Sequence, residues 1–279
     1  MANFHSDEWI MTRLDEHYKE AKQYFDESRI VGIFVQGSQN YGLDYEGSDI
    51  DTKLIVVPTF EEIAFNKKPH STTHVRENNE HIDFKDIRLY IETFRKQNLN
   101  FLEILFTQYK IVNPQYADFW QKLVDAREDI AHYDIHRAIK SMKGIALEKY
   151  HAMEHRYPSK VDIIDQFGYD SKQLHHLLRV EEYLTRYIAG ESYEKCLIPN
   201  PIRAKRLRAI KEDNGLLSLE EARAAADASL RTIEMVCEEG LAYYPEEYNP
   251  KVEKLLKEVQ YDIMKLAVAT ELIEEEYYD

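Results

Sequence analysis

The sequence of 279 residues predicts an α+β fold, in which a small α/β unit is followed by a helical region. Two observations predict it. Short apolar runs rich in β-branched residues are confined to the part of the chain before about residue 112. Beyond that point, apolar residues recur at helical spacing to the end. We therefore predict two domains, 1–112 and 113–279.

The first domain is predicted to begin with an amphipathic helix over residues 7–28. Four strands follow from apolar and alternating patterns: 30–35, 50–57, 72–76 and 80–84. The last two flank Glu77-Asn78-Asn79 and are predicted to form a hairpin. Asp86 is a predicted N-cap for the helix that follows them.

The second domain is predicted to contain six helices, at 115–127, 131–155, 171–189, 201–213, 218–239 and 249–277. Gly and Pro residues separate them. Ser218 and Glu221 have the spacing of a capping box at the start of the fifth helix.

Composition limits the classes of function. The formal net charge of −15 argues against extensive DNA binding, which needs many Lys and Arg residues to replace counterions. A local basic groove is still compatible with this net charge. Two cysteines are too few for a disulfide scaffold. The first residues do not resemble a signal peptide, and apolar runs are too short to span a bilayer, so we expect a cytoplasmic protein without a membrane partner.

Residues 37–51 are the segment most informative about chemistry. A predicted strand ends at Gly37-Ser38, where glycine allows the backbone to approach a phosphate and serine adds a hydroxyl donor. Asp49 and Asp51 then open the next predicted strand, and alternate strand residues share a face. Two neighbouring carboxylates are costly unless a cation neutralises them, and Mg²⁺ prefers oxygen ligands and phosphates.

A third carboxylate on a neighbouring strand would complete a site for two metal ions. Asp83 is the candidate, because Ile82 and Phe84 on either side of it would face the opposite, buried side of the sheet. Asp86 is the fallback, although its position suits a helix cap better.

The G-S-x-x-Y-G…S-D-x-D pattern of residues 37–51 resembles the signature of nucleotidyltransferases of the DNA polymerase β superfamily. The chain resembles more closely a branch of predicted nucleotidyltransferases of bacteria and their phages. Three further groups of segments carry that resemblance: 81–88 with 96–103, 168–179, and 207–211 with 218–222.

The resemblance implies a mixed sheet with flanking helices in the catalytic domain, residues 1–112, and a helical C-terminal domain. It implies that Asp49, Asp51 and Asp83 hold two Mg²⁺ ions, or Mn²⁺ in their place. It also implies that Gly37, Ser38 and Ser48 lie in the nucleotide-binding segment. The expected reaction transfers a nucleoside monophosphate from an NTP, by default ATP, to an acceptor hydroxyl and releases pyrophosphate.

Lys172, His175, His176 and Arg179 have the spacing of one helix face. We expect Lys172, His176 and Arg179 to bind nucleotide, and the alternative is a solvated polar face.

A basic run at residues 203–211 is more simply a solvated face than an RNA or triphosphate contact. Glu103 lies in an apolar run, so its carboxylate must be paired, point outward or be functional.

The sequence does not choose the acceptor, which is an RNA end, a protein side chain or a small molecule. Two alternatives to nucleotidyl transfer remain. One is an NTP-binding regulatory protein, including one half of a toxin–antitoxin pair, with little catalysis. The other is a metal-dependent phosphohydrolase, in which water is the acceptor.

Overall fold

The computed structural model describes residues 3–278, with side chains to residue 273, and confirms the predicted α+β class. Five strands form one mixed sheet in the order β3-β4-β2-β1-β5. The strands are β1 (Ile30–Gln36), β2 (Asp51–Val56), β3 (Ser71–Val75), β4 (His81–Asp86) and β5 (Lys110–Val112). The β2–β4 pair is parallel and the other pairs are antiparallel, so the predicted hairpin of β3 and β4 is confirmed.

Helices flank the sheet and make up most of the rest of the chain. They are α1 (Asp7–Ala21), α2 (Phe60–Ala64), α3 (Ile87–Arg95), α4 (Leu99–Leu102), α5 (Ala117–Asp125), α6 (Arg127–Ala131), α7 (Ile135–Ala152), α8 (Val161–Phe167), α9 (Ser171–Ile188), α10 (Tyr193–Leu197), α11 (Pro201–Glu212), α12 (Leu219–Tyr243) and α13 (Pro250–Tyr278). Asp86 caps α3 and the capping box of Ser218 and Glu221 opens α12, as predicted. The first helix was predicted over residues 7–28, but α1 ends at Ala21. Phe25 lies beyond the helix and packs against Phe84.

One face of the sheet forms a hydrophobic core with α1. Leu54 on β2 and Ile82 on β4 are fully buried in this core, beside Leu14 of α1. Ile82 and Phe84 therefore face the buried side, as the alternating pattern predicted. The opposite face of the sheet carries Asp51 and Lys53, together with the residues paired with them on β4. The reason is that alternate strand residues point to opposite sides.

Contacts divide the chain into two compact units that do not follow the predicted boundary after residue 112. The sheet unit contains His5–Asn40, Ser48–Tyr133 and the chain from Tyr248 onward. The helical unit contains Asp134–Glu247, Phe4 and the short segment Tyr41–Gly47. The difference arises because α5 packs against α13 and the neighbouring turns, while α9 packs with α7, α11 and α12. These contacts join residues distant in sequence, and helical periodicity alone does not reveal them.

No helix within the described part of the chain is both long and apolar enough to cross a membrane.

Candidate functional site

The loop that leaves β1 is held in a conformation that requires glycine. Gly37 has φ of +95°, which is in the region that L side chains rarely adopt. A Cβ built on Gly37 would meet no atom within 4 Å, so the space beside its Cα is open. Ser38 begins a short 3-10 turn, Ser38–Asn40, and is half-buried. The open space beside the Gly37 Cα is compatible with close approach of a phosphate to the backbone.

The Gly37 amide, however, already has an acceptor. It donates to Oε1 of Glu103 at 2.6 Å, and Glu103 is only 4% exposed. The sequence left the role of this carboxylate open, and the structure shows that it is paired with the loop backbone. The Gly37 amide is therefore engaged with Glu103, and the role of Gly37 in nucleotide binding stays a prediction.

Side chains of the same loop fix its position against the sheet. Gln39 Nε2 donates to the backbone oxygen of Asp49 at 2.8 Å. Asn40 Nδ2 donates to the Val35 carbonyl at 2.9 Å, while the Thr107 hydroxyl donates to Asn40 Oδ1 at 2.6 Å. The glycine loop and the first aspartate are consequently held together by a direct hydrogen bond.

Asp49 and Asp51 lie at the start of β2, although the strand begins at Asp51 and not at Asp49. Ile50 between them is fully buried in the core with α1, whereas Asp49 is exposed and Asp51 half-buried. Asp51 is paired in register with Gln36, the residue directly before Gly37. The two carboxylates thus lie beside the glycine loop, as the sequence predicted.

The two aspartates interact electrostatically. Burial, and next the charge of Asp49, raise the pKa of the Asp51 carboxyl, although hydrogen bonds from His81 act in the opposite direction. Two carboxylates close enough to perturb one another in this way attract a cation. Their oxygens are the ligands that Mg²⁺ prefers, so the pair fits a divalent ion.

His81, which the sequence analysis did not single out, is the neighbour of Asp51 on β4. Its amide donates to Asp51 Oδ1 at 2.9 Å and its Nδ1 lies 3.0 Å from the same oxygen. The alternation that drew attention to Asp83 also places His81 on that face, so a signal was present in the sequence.

Asp83 lies on the parallel neighbour of β2, as expected, but next to Lys53 and not to Asp51. Its Oδ2 is 3.0 Å from Lys53 Nζ, and its Oδ1 accepts from the Thr73 hydroxyl at 2.5 Å. Two residues along a parallel strand correspond to roughly 6.6 Å. In the β2–β4 register, His81 lies beside Asp51 and Asp83 lies beside Lys53. The structure therefore does not place Asp83 next to Asp51.

No group of three or more His, Cys, Asp or Glu side chains suited to a metal ion is found among the described residues. The fallback ligand, Asp86, is engaged as the cap of α3 and pairs with Arg88 at 2.6 Å. Asp49 and Asp51 are thus the two carboxylates that remain for a cation at this position.

A buried ionic cluster on the other side of β2 anchors the start of the strand. Glu80 accepts from Ile50 N at 3.3 Å, from His17 Nε2 at 2.9 Å and from Arg76 at 2.8 Å, and it also pairs with Arg13. Burial acts to raise the pKa of Glu80, but hydrogen bonds from His17, Arg13 and Asn78 outweigh it and hold the pKa below its usual range.

The three other predicted nucleotide-binding residues, Lys172, His176 and Arg179, lie on α9 in the helical unit. Lys172 is exposed, His176 half-buried and Arg179 only 6% exposed. A solvated polar face is therefore the wrong description of Arg179. Ser48, the remaining predicted residue, is 7% exposed and directly precedes Asp49 in the sheet unit.

The comparisons with known proteins give no family. No family model matches the chain, and no curated protein matches it. Among solved structures, the chain is similar to a nucleotidyltransferase-like protein from Exiguobacterium sibiricum, with 13% identity and a TM-score of 0.29. The match covers 82% of this chain and 75% of that one. Identity and TM-score are both too low for this likeness to assign a function.

Proposed function

We propose that this protein is a metal-dependent nucleotidyltransferase that transfers a nucleoside monophosphate from an NTP, by default ATP, to an acceptor hydroxyl and releases pyrophosphate. The acceptor is an RNA end, a protein side chain or a small molecule. One observation carries the proposal: Asp49 and Asp51 lie beside the open glycine loop, and the charge of Asp49 helps raise the pKa of Asp51. Such crowding of negative charge is typical of a site for a cation and a phosphate.

In this proposal, Asp49 and Asp51 would hold Mg²⁺ or Mn²⁺, which would supply positive charge against the phosphates and a lower pKa for the acceptor hydroxyl. His81 orients the Asp51 carboxylate through the two contacts to Oδ1. Gln39 fixes the backbone of Asp49 relative to the loop. The Ser38 hydroxyl binds the phosphates, and Glu103 holds the loop open by accepting the Gly37 amide.

The first test incubates the protein with each α-³²P-labelled NTP, Mg²⁺ or Mn²⁺, and the RNA and protein of a bacterial lysate. The variant Asp49→Asn/Asp51→Asn removes the proposed ligands. The matched control, Asp118→Asn/Asp125→Asn, makes the same charge change at exposed positions of α5. We expect labelled RNA or protein with the wild type and the control and none with the ligand variant.

The products separate this function from its alternatives. Pyrophosphate with a labelled acceptor supports nucleotidyl transfer. Free nucleotide that depends on Asp49 and Asp51 indicates a phosphohydrolase instead. Metal-dependent NTP binding without either product, after acceptors of all three classes have been supplied, indicates a regulatory nucleotide-binding protein.

A further inference from the structure

Arg179 on α9 is a buried cation that pairs with no carboxylate of residues 3–273. Its side chain is 6% exposed, and its guanidinium carbon lies 3.7 Å from the centroid of the Tyr41 ring. The Nε and Nη2 atoms are buried and have no hydrogen-bond partner within residues 3–273. No carboxylate of these residues lies within ion-pair distance of the guanidinium.

Such an arrangement is energetically unfavourable in the protein alone. A buried charge that is neither paired nor hydrogen-bonded costs several kcal/mol, in order of magnitude. Stacking on an aromatic ring recovers only about 0.5–2 kcal/mol. An anion that accepted the unpaired N–H groups of Arg179 would remove most of this cost.

Further cations of the same unit lie on α9 and α11, two of them in contact with the segment that contains Tyr41. Arg208 on α11 donates Nη2 to the Gly42 carbonyl at 2.6 Å, and its Nε is buried without a partner. Lys211 lies 5.1 Å from the centroid of the Tyr45 ring and 3.5 Å from the Leu43 carbonyl. Lys172 is exposed on α9. Arg208 donates to an uncharged carbonyl, which does not compensate its charge.

Two neighbouring histidines, His175 and His176, have lowered pKa values. Burial first, and then the charges of Lys211, Arg179 and Lys172, lower the pKa of His175 to about 3, against the effect of its hydrogen bond to Leu207. Burial, followed by His175 and the charges of Arg179 and Lys172, also lowers the pKa of His176. Both imidazoles are thus neutral at pH 7, and the positive charge at this place belongs to Arg and Lys side chains.

The segment Tyr41–Gly47, which belongs to the helical unit, contacts three of these cations. Its carbonyls accept from Arg208 and Lys211, and Tyr41 supplies the aromatic surface for Arg179. Its buried carboxylate, Asp44, accepts from the Phe4 amide at 3.0 Å. The segment carries two carboxylates, Asp44 and the exposed Glu46, which are fewer than the four cations named above.

We propose that Arg179, Arg208 and Lys172 form a phosphate-binding site of the helical unit, and that this site works without a divalent metal. A phosphate group carries up to two negative charges and presents several acceptors, and it matches the planar fork of a guanidinium. A single carboxylate would balance only one of the unpaired cations. The site stands independently of the proposed transfer reaction.

The test measures binding to the full chain in EDTA by calorimetry, with tripolyphosphate as the first probe. ATP and a 5′-phosphorylated RNA tetranucleotide follow, since the phosphate can come from a free nucleotide or from an RNA end. The unphosphorylated tetranucleotide is the control ligand. We expect tripolyphosphate to bind, and ATP and the two oligonucleotides then show which source is preferred.

The variant Arg179→Gln is expected to weaken tripolyphosphate binding at least about tenfold, because charge-assisted hydrogen bonds to phosphate are lost. The matched control is Arg231→Gln, which removes an exposed charge from α12 of the same unit and should leave binding unchanged. Lys172→Gln, at an exposed position that does not endanger folding, should weaken binding by a smaller factor of about three.

Absence of tripolyphosphate binding by the wild type would overturn the proposal. Equal affinities of Arg179→Gln, Lys172→Gln and Arg231→Gln would also overturn it. Asp49→Asn/Asp51→Asn should retain full binding in EDTA. A protein that binds tripolyphosphate in EDTA but labels no acceptor, after RNA, protein and small-molecule acceptors have all been supplied, would refute the transfer function and support the phosphate site, so the two proposals fail separately.

Discussion

Both the sheet unit and the helical unit contain buried charges that are paired and buried charges that are not. Glu80 of the sheet unit is surrounded by Arg13, His17 and Arg76, and Asp83 is paired with Lys53. Asp51, in the same unit, is half-buried beside another negative charge. In the helical unit, Arg203 pairs with Glu181 at 2.7 Å, whereas Arg179 has no carboxylate partner within residues 3–273.

Within the described residues, each unit therefore contains paired charges and a group of like charges without a Lys, Arg, Asp or Glu counter-charge in ion-pair contact. Removal of one partner of a buried pair is destabilising, since it leaves the other charge uncompensated. The unbalanced charges lower stability and are typical of sites that bind a ligand of opposite sign. The unbalanced group is negative in the sheet unit and positive in the helical unit, which suits a cation and a phosphate respectively.

The largest effect is expected from Asp51→Asn. A bound metal ion contributes several kcal/mol to such reactions, so nucleotidyl transfer should fall by about 10³-fold. The melting temperature should not fall, because Asn removes a repulsive charge. Initial rates of label incorporation and thermal unfolding measure the two effects, and activity within tenfold of wild type would show that Asp51 is not a ligand.

Glu80→Gln tests the balanced side of the comparison. Loss of the Glu80 carboxylate leaves Arg13, Arg76 and His17 without this partner. The free energy of unfolding should therefore fall by about 3 kcal/mol in urea titrations at pH 7. The exposed Glu77→Gln, at the hairpin turn, is the control and should change little.

The stability difference between the wild type and Glu80→Gln should also depend on pH. The folded-state pKa of Glu80 is lowered, so its contribution to stability is present above the unfolded pKa of about 4.3 and is lost as the pH falls through the folded value. The difference between wild type and Glu80→Gln should therefore shrink between pH 5 and pH 3, in rough terms. A difference that grows on acidification would contradict the assignment.

Asp83→Asn separates a structural carboxylate from a metal ligand. Lys53, which is 3% exposed, would lose its carboxylate partner, so the free energy of unfolding should fall by about 2 kcal/mol. The double variant Lys53→Met/Asp83→Asn should recover most of this loss. If Asp83→Asn instead abolishes transfer and leaves stability unchanged, Asp83 acts as the third metal ligand.

Arg179→Met removes the unbalanced cation of the helical unit while it retains most of the apolar volume. In phosphate-free buffer, we expect the free energy of unfolding to rise by about 1 kcal/mol, because the buried unpaired charge is gone and only the stacking on Tyr41 is lost. Tripolyphosphate should raise the melting temperature of the wild type and not that of the variant. A variant less stable than the wild type would mean that Arg179 is compensated in solution.

The smallest effect is expected from Asp49→Asn. It removes one of two repelling charges, and because Asp49 is exposed, the gain in stability should be no more than about 1 kcal/mol. Mg²⁺ should raise the melting temperature of the wild type more than that of this variant. Equal Mg²⁺ responses would argue against a shared cation.

The sequence by itself determined the features that depend on neighbouring residues. Alternation along a strand predicted that Ile82 and Phe84 are buried and that Asp83 faces the other way. The caps at Asp86 and Ser218, and the position of Asp49 and Asp51 beside the glycine loop, follow from local patterns of the same kind.

Only the tertiary structure decided the partners of those residues. The β2–β4 register opposes Lys53 to Asp83 and leaves His81 beside Asp51. Glu103 reaches the Gly37 amide across 66 residues of sequence, and Arg179 stacks on Tyr41 from a distant helix. Periodicity determines which face a side chain occupies, whereas the register between strands and the packing between helices determine which other side chain lies opposite it.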